Sequence, residues 1–527
     1  MLNFKKILPK LLILLFVVGF GALCVWLGDP MSPYATLWSL FPPVIAIGLA
    51  LITKEVYSSL FMGILAGGLL YTQFSPIPTM DAMINEGLIP AVSGTAGIFI
   101  FLVLLGVIVA LLNKAGGSRA FGEWAAKHVK SKIGAALATF AFGVLIFIDD
   151  YFNCLTVGAV MRPVTDKAKI SRAKLAYLID ATAAPICMIA PISSWAAAVA
   201  SYAGEGQSGI ALFCRAIPYN LYSLMTFVFI ITITLMKLDY GPMKLHERNA
   251  MNGDLFTSGE TTQNDEEEPS TGKGKVIDLV LPILVLIGIC VYALYYVGHE
   301  AGMNFIASFS NTDATVGLPW GGLIALIVVM IYFVARRLLT FKEAMECIPK
   351  GFIAMVPAIL ILTLATSLKN MTGLLGSEVF VDNALANAGA LQSFLPAIIF
   401  LAACGISFAT GTSWGTFGIL IPIVLTAFGV ETEMGIICMS ACLAGSVCGD
   451  HCSPISDTTI MSSAGARCVH VLHVSTQLPY ALTVAGVSII GYIVAGFVQN
   501  VYITLGVSVL LTLGTLFVIK LMNKKNA

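Results

Sequence analysis

Cys448-Gly449-Asp450-His451-Cys452-Ser453-Pro454-Ile455-Ser456-Asp457-Thr458-Thr459 interrupts an otherwise apolar run, 435–464. A run of that length reads as a membrane-spanning helix. Gly449 and Pro454 break it, and the break leaves backbone carbonyls without partners in the helix. Hydrocarbon tolerates such groups only where protein or a wet cavity surrounds them. Asp450, Asp457, Ser453 and Thr458 supply oxygens at the break, and His451 is of the residue type whose ordinary titration lies near neutrality. The stretch reads as a helix unwound to hold a cation, although the same residue types also cap helices.

The rest of the 527 residues is of the same character. Hydrophobic residues make up 58% and charged residues 11%, against about 25% charged in a soluble chain. A soluble enzyme, a secreted disulfide scaffold and a nucleic-acid binder are excluded. Net charge is zero, so only its distribution informs. Apolar spans run over 11–28, 37–53, 56–74, 90–112, 176–203, 213–236, 276–298, 318–336, 352–371, 435–464, 476–499 and 501–521. Strand-like alternation is absent, so the spanning elements are helices and the lipid bilayer is their solvent. The twelve cysteines lie mostly inside apolar segments and read as small hydrophobes. Residues 1–36 carry Lys5 and Lys6 ahead of an apolar run with no small-x-small cleavage site, which reads as a retained signal-anchor helix.

Two further apolar stretches, 133–161 and 393–429, are interrupted near their middles. Read as re-entrant hairpins, they leave about 12 crossings. The arm 151–161, short before Arg162, favours re-entrance in the first. With both termini cytoplasmic, 27 of the 29 basic residues fall on cytoplasmic segments, leaving Arg215 and Lys369. Segment 237–275 is polar, ends in an acidic run and reads as a flexible cytoplasmic linker.

The chain repeats itself at an offset of 261 to 263. Met80-Asp81-Ala82-Met83 matches Lys342-Glu343-Ala344-Met345. Ala190-Pro191-Ile192-Ser193 matches Ser453-Pro454-Ile455-Ser456. Ile217-Pro218-Tyr219 matches Leu478-Pro479-Tyr480. Each copy holds five crossings and one hairpin, and an odd number inverts the second copy. The charges agree: loop 75–88 has no basic residue, and its counterpart 337–350 has three. The fold expected is an all-α polytopic membrane protein with two inverted-topology repeats, each carrying a re-entrant hairpin and a broken helix. The signal anchor (1–36) is followed by the first repeat (37–236), the linker (237–275), the second inverted repeat (276–499) and a C-terminal helix with a basic tail (500–527). That plan is the sequence sign of a secondary transporter.

Five of the 29 acidic residues fall at membrane depth: Asp149, Asp150, Asp180, Asp450 and Asp457. An Asp at a helix centre costs about 2.5–3.5 kcal/mol on insertion scales. Carboxylates kept there call for an exchangeable cation, and Na+ and H+ both compete for carboxylate oxygen. Asp149-Asp150-Tyr151-Phe152-Asn153 tips the first hairpin, with Asn153 as a neutral oxygen ligand. Na+ is expected at Asp149, Asp150, Asp450 and Asp457. Weaker candidates are Asp180, which would also suit a snorkelling interfacial position, Ser193 and Ser194 at the first break, and Thr410, Thr412 and Ser413 at the second hairpin tip. Ser and Thr also join membrane helices. The remaining histidines, His473 among them, read as loop or edge residues. Cys448, His451 and Cys452 lack a closed zinc spacing. No P-loop occurs, so no nucleotide engine and no cofactor are expected.

Through Phe147-Ile148-Asp149-Asp150-Tyr151-Phe152-Asn153 and Gly449 to Thr459, the chain resembles the NhaC family of sodium/proton antiporters over about 37–499. The resemblance implies Na+ export from the bacterial cytoplasm against protons, through an elevator-like carrier in the cytoplasmic membrane. Proteins resembling this family also carry small organic acids or amino acids, so a Na+- or H+-coupled carrier of such a substrate is the alternative. A homodimer is compatible with either reading.

Overall fold

The computed structural model describes residues 4–53, 55–129, 131–202, 208–257, 273–300, 303–305, 308, 312–377, 379–380, 389–428, 432–454 and 456–525. Among these residues the regular structure is helical, without a strand. Among the described residues seven helices are long and apolar enough to cross a membrane: Pro76–Ala115, Ile277–Gly298, Thr315–Ala335, Phe341–Leu374, Glu433–Cys452, His470–Val498 and Val501–Asn523. The pair Gly209–Tyr219 and Leu221–Met236, bent by 48°, makes an eighth if taken as one span. Other expected spans are built from shorter helices, such as Phe41–Thr53 and Val56–Tyr71.

Both interrupted stretches and both broken helices are present. Lys132–Leu145 is followed by Asp150–Lys167, and Leu395–Thr410 by Ser413–Phe428. Arg172–Cys187 restarts as Ser194–Ala200, and Glu433–Cys452 restarts at Asp457. Ser413 follows Asp150 by 263 residues, and Asp457 follows Ser194 by the same 263. Each broken helix restarts on a serine cap. Ser193 Oγ accepts the Ala196 N–H at 3.0 Å, and Ser456 Oγ accepts the Thr459 N–H at 3.2 Å. The second hairpin turns on Gly411, at φ 70, where a side chain would be strained.

Two features depart from the sequence expectation. The second arm of the first hairpin does not stop near Arg162. It runs through Arg162 and Pro163 to Lys167, and Arg162 is buried. Protein packing, not lipid apolarity, sets the length of that arm. The segment after Met236, expected to be flexible, folds as the helix Pro242–Met251 and docks. Glu247 is the anchor: one carboxylate oxygen pairs with Lys132 Nζ at 2.6 Å, the other accepts the Ser171 N–H at 2.8 Å. Its acidic run, 265–268, lies outside the described residues.

The chain divides into two compact units, each drawn from both halves of the chain. One comprises 1–96, 357–450 and 492–500. Its apolar core gathers Ala46, Val56, Leu60, Ile64, Met83, Leu368, Met371 and Ile419. It contains the second hairpin. The other comprises 97–356, 451–491 and 501–527, and contains the first hairpin and the first broken helix. There, Asp150–Lys167 lies against the restarted helix Asp457–Ala466. A Cβ on Gly158 would sit 2.4 Å from the backbone carbon of Gly465.

Two outcomes follow from this packing. Gly158→Ala should lower the thermal unfolding midpoint of the detergent-solubilised protein, by overpacking worth about 1–3 kcal/mol; an unchanged midpoint would show that the two helices do not touch backbone to backbone. Burial pushes the His246 imidazole down from its ordinary value, so the folded segment binds fewer protons than the free one. Docking is therefore complete above about pH 6.5 and is lost as the pH falls through the depressed value. Hydrogen exchange of amides 242–251, corrected for intrinsic rate, should rise on acidification, and His246→Leu should flatten that rise.

Candidate functional site

The first site grows from the gap between Leu145 and Asp150. The helix ending at Leu145 leaves carbonyls without intrahelical partners. Asn153, one turn into the next helix, reaches back: its Nδ2 donates to Gly143 O at 2.7 Å and to Ile146 O at 2.8 Å. This fixes the amide orientation and leaves Oδ1 buried, with no hydrogen-bond partner among the described residues. Native interiors seldom leave such an atom unused. The helix restart packs directly on this gap. The Ser194 N–H donates to Ile148 O at 3.0 Å, and Trp195 Nε1 donates to Asp150 Oδ2 at 3.2 Å. Asp149 is 2% exposed and Asp150 0%. Two neighbouring carboxyl groups thus lie buried where the hairpin break and the helix break join. Ser194 Oγ is also buried without a partner among the described residues. Ser193 is committed locally: its hydroxyl donates to Cys187 O or Ala190 O while capping the restart.

A second cluster centres on Asp180. The sequence left it between an interfacial and a functional role, and the structure buries it at 3% exposure. Its Oδ2 accepts from Gln477 Nε2 at 2.9 Å and Thr459 Oγ1 at 3.0 Å, and lies 3.2 Å from His473 Nε2. His451 Nε2 stands 3.9 Å away. His451 Nδ1 pairs with the Tyr222 hydroxyl at 2.8 Å, and its ring stacks near Tyr177. Gln477 Nε2 also donates to His451 O at 2.6 Å, pairing a carbonyl at the break. The sequence placed His473 at an edge. It is fully buried, because the helix begins at His470, well before the apolar run does. Spacing was the available signal: His473 and Gln477 are four apart and share a helix face.

In the other compact unit, the second hairpin tip meets a carboxylate. Ser413 Oγ donates to Asp450 Oδ2 at 3.2 Å, and both residues are 1% exposed. Gly449 permits the approach, since a Cβ there would lie 2.2 Å from Cys404 O. Thr410 Oγ1 donates to Ile406 O, and Thr412 Oγ1 caps the Gly415 N–H. Back in the unit of the first hairpin, Ser453 is buried at the break, and Thr458 lies 3.1 Å from Ser456, hydroxyl to hydroxyl. Asp457 opens its helix, but its side chain lies outside the described residues. Among the described residues no three His, Cys, Asp or Glu side chains gather as a metal site.

Buried carboxyls at helix breaks, lined by hydroxyl and amide oxygens, can take up and release small cations or protons. The model of the Na+/H+ antiporter family matches residues 197–497. An uncharacterized protein of Haemophilus influenzae is 38% identical over 486 residues, covering 88% of this chain and 92% of its own length. The malate-2H(+)/Na(+)-lactate antiporter of Bacillus subtilis is 32% identical over 115 residues, 21% of this chain and 24% of that protein. The crystal structure of the Alcanivorax borkumensis YdaH transporter superposes with a TM-score of 0.50 at 14% identity, over 77% of this chain and 87% of that one, a likeness of fold alone. The family match covers more than half of the chain and includes the second broken helix, so this multi-pass membrane protein belongs to the Na+/H+ antiporter family.

Proposed function

We propose that this secondary transporter exchanges Na+ for H+ across the bacterial cytoplasmic membrane. The observation that carries the reading is the buried pair Asp149 and Asp150, placed where a hairpin break and a helix break join. Two adjacent carboxyl groups raise each other's affinity for any positive ion. Burial sharpens this, because an ionised carboxylate held away from water is costly until a cation or proton reaches it. Na+ and H+ then compete for the same oxygens, and one can leave only as the other arrives. Asn153 Oδ1 and Ser194 Oγ offer neutral oxygens to the larger ion. Asp450, with Ser413 beside it, plays the corresponding part at the second hairpin.

The inverted repeats, the twelve crossings and the cytoplasmic termini belong to this proposal. An inverted pair of broken helices gives a carrier two related states, one open to each side. The charge asymmetry of the loops sets which side is cytoplasmic.

A second reading has one observation in its favour: the 115-residue likeness to a malate-2H(+)/Na(+)-lactate antiporter. Under it, the aspartates hold the coupling ion and a small organic acid is the cargo.

Proteoliposomes holding the purified protein and an internal pH dye separate the two. Adding external Na+ should move protons, and Asp150→Asn and Asp450→Asn should each lower that movement about a hundredfold or more, the order lost when a charged group essential to the step is removed. Either variant running at the wild-type rate removes that residue from the ion site. Lactate or malate uptake driven by a Na+ gradient, with no proton movement on Na+ alone, would favour the second reading.

A further inference from the structure

We propose that Asp180 and His473 form a proton-binding site of their own, separate from the carboxyl pair at the first hairpin. This goes beyond the exchange reading, which places Na+ and H+ on the same oxygens, and only its transport arm rests on that reading.

The case starts from convergence. Three helices meet at one carboxylate oxygen: Asp180 lies on Arg172–Cys187, Thr459 on Asp457–Ala466, and His473 with Gln477 on His470–Val498. Gln477 Nε2 can only donate to that oxygen, at 2.9 Å, and the Thr459 hydroxyl, at 3.0 Å, donates to it while it is ionised. His473, at 3.2 Å, is different in kind. Its contact to Asp180 persists with the proton on either partner, as carboxylate with imidazolium or as carboxyl with imidazole. The site can gain or lose a proton without moving a heavy atom. His473 Nδ1 is buried with no hydrogen-bond partner among the described residues, so the ring holds one further position for a proton.

Other titratable groups face the pair. His451 Nε2 is 3.9 Å from Asp180 and is buried without a hydrogen bond among the described residues. Behind His451 stand the Tyr222 hydroxyl and the Tyr177 ring. Lys174, on the helix of Asp180 toward its start, is held by Asp239 at 2.6 Å, with Tyr480 on the same carboxylate. Asp149 and Asp150 act on Cys187, at the far end of that helix.

A proton here has mechanical consequences. Gln477 Nε2 bridges Asp180 to His451 O, a carbonyl at the break, and Thr459 is the residue whose amide Ser456 caps. Neutralising Asp180 weakens charge-assisted bonds to both. The proton on this pair therefore sets how firmly the restarted helix is held, which is the kind of coupling an exchanger needs between proton occupancy and conformation.

Two measurements on the full-length protein test this. In the first, infrared difference spectra between acid and neutral pH are taken without Na+. A carboxyl C=O band that titrates in the wild type should vanish in Asp180→Asn. In His473→Gln it should titrate about one pH unit higher, because no imidazole then takes the proton first or holds the carboxylate ionised with its N–H. An unchanged band in Asp180→Asn, or an unchanged midpoint in His473→Gln, overturns the proposal. In the second, the pH profile of Na+-driven proton movement in proteoliposomes should shift by a similar amount in His473→Gln. An unshifted profile in an active variant also overturns the coupling. If the wild type moves no protons on Na+ addition, the exchange reading fails, and the infrared result still decides this one.

Discussion

A helix broken inside a bilayer leaves four N–H groups and four carbonyls that lipid cannot satisfy. The rest of this structure depends on meeting that demand with protein. Ser193 and Ser456 cap the two restarts, and Asn153 reaches back across the first hairpin to two orphan carbonyls. Trp195 and Ser194 then tie the restarted helix to the hairpin. Once the backbone is satisfied in this way, the carboxyl groups can be buried beside it. Some polar groups at the breaks complete the backbone, while Asn153 Oδ1 and Ser194 Oγ stay buried without a hydrogen-bond partner among the described residues.

Positions 263 residues apart can be compared directly. Position 150 in the first hairpin is Asp, and its partner at 413 is Ser. Position 187, at the end of the first broken helix, is Cys, and its partner at 450 is Asp. In the second hairpin, Ser413 and Asp450 are hydrogen-bonded. In the first, Cys187 lies within electrostatic reach of Asp149 and Asp150. The same juncture of hairpin and helix end carries a carboxyl group each time, contributed once from the tip and once from the helix.

The breaks themselves could be read from the chain, because Gly and Pro beside Ser and Asp within an apolar run have few other meanings. Asp149, Asp150 and Asp450 stood out for the same reason: charge is expensive where lipid is expected. His473 and Gln477 did not, since they precede the apolar run of their helix and look like edge residues. Their burial depends on Asp180, nearly three hundred residues away in the chain, and a one-sequence reading carries no signal for that meeting. Arg162 misled in the opposite direction. A basic residue after an apolar stretch looks like a membrane boundary, yet here other helices enclose it and the arm continues. The docked helix Pro242–Met251 was hidden in a polar segment because Lys132 and Ser171, not an apolar stripe, hold it in place.

The meeting of Gly158 and Gly465 has a mechanical meaning as well. Interlocked helices resist sliding because each side-chain ridge must climb out of a groove. Where two glycines face each other there is no ridge, and main chain runs against main chain. Such a contact works as a plain bearing. It tolerates no added side chain at either glycine, and with no ridge to climb it sets little steric resistance against a lengthwise shift of the hairpin arm along the restarted helix.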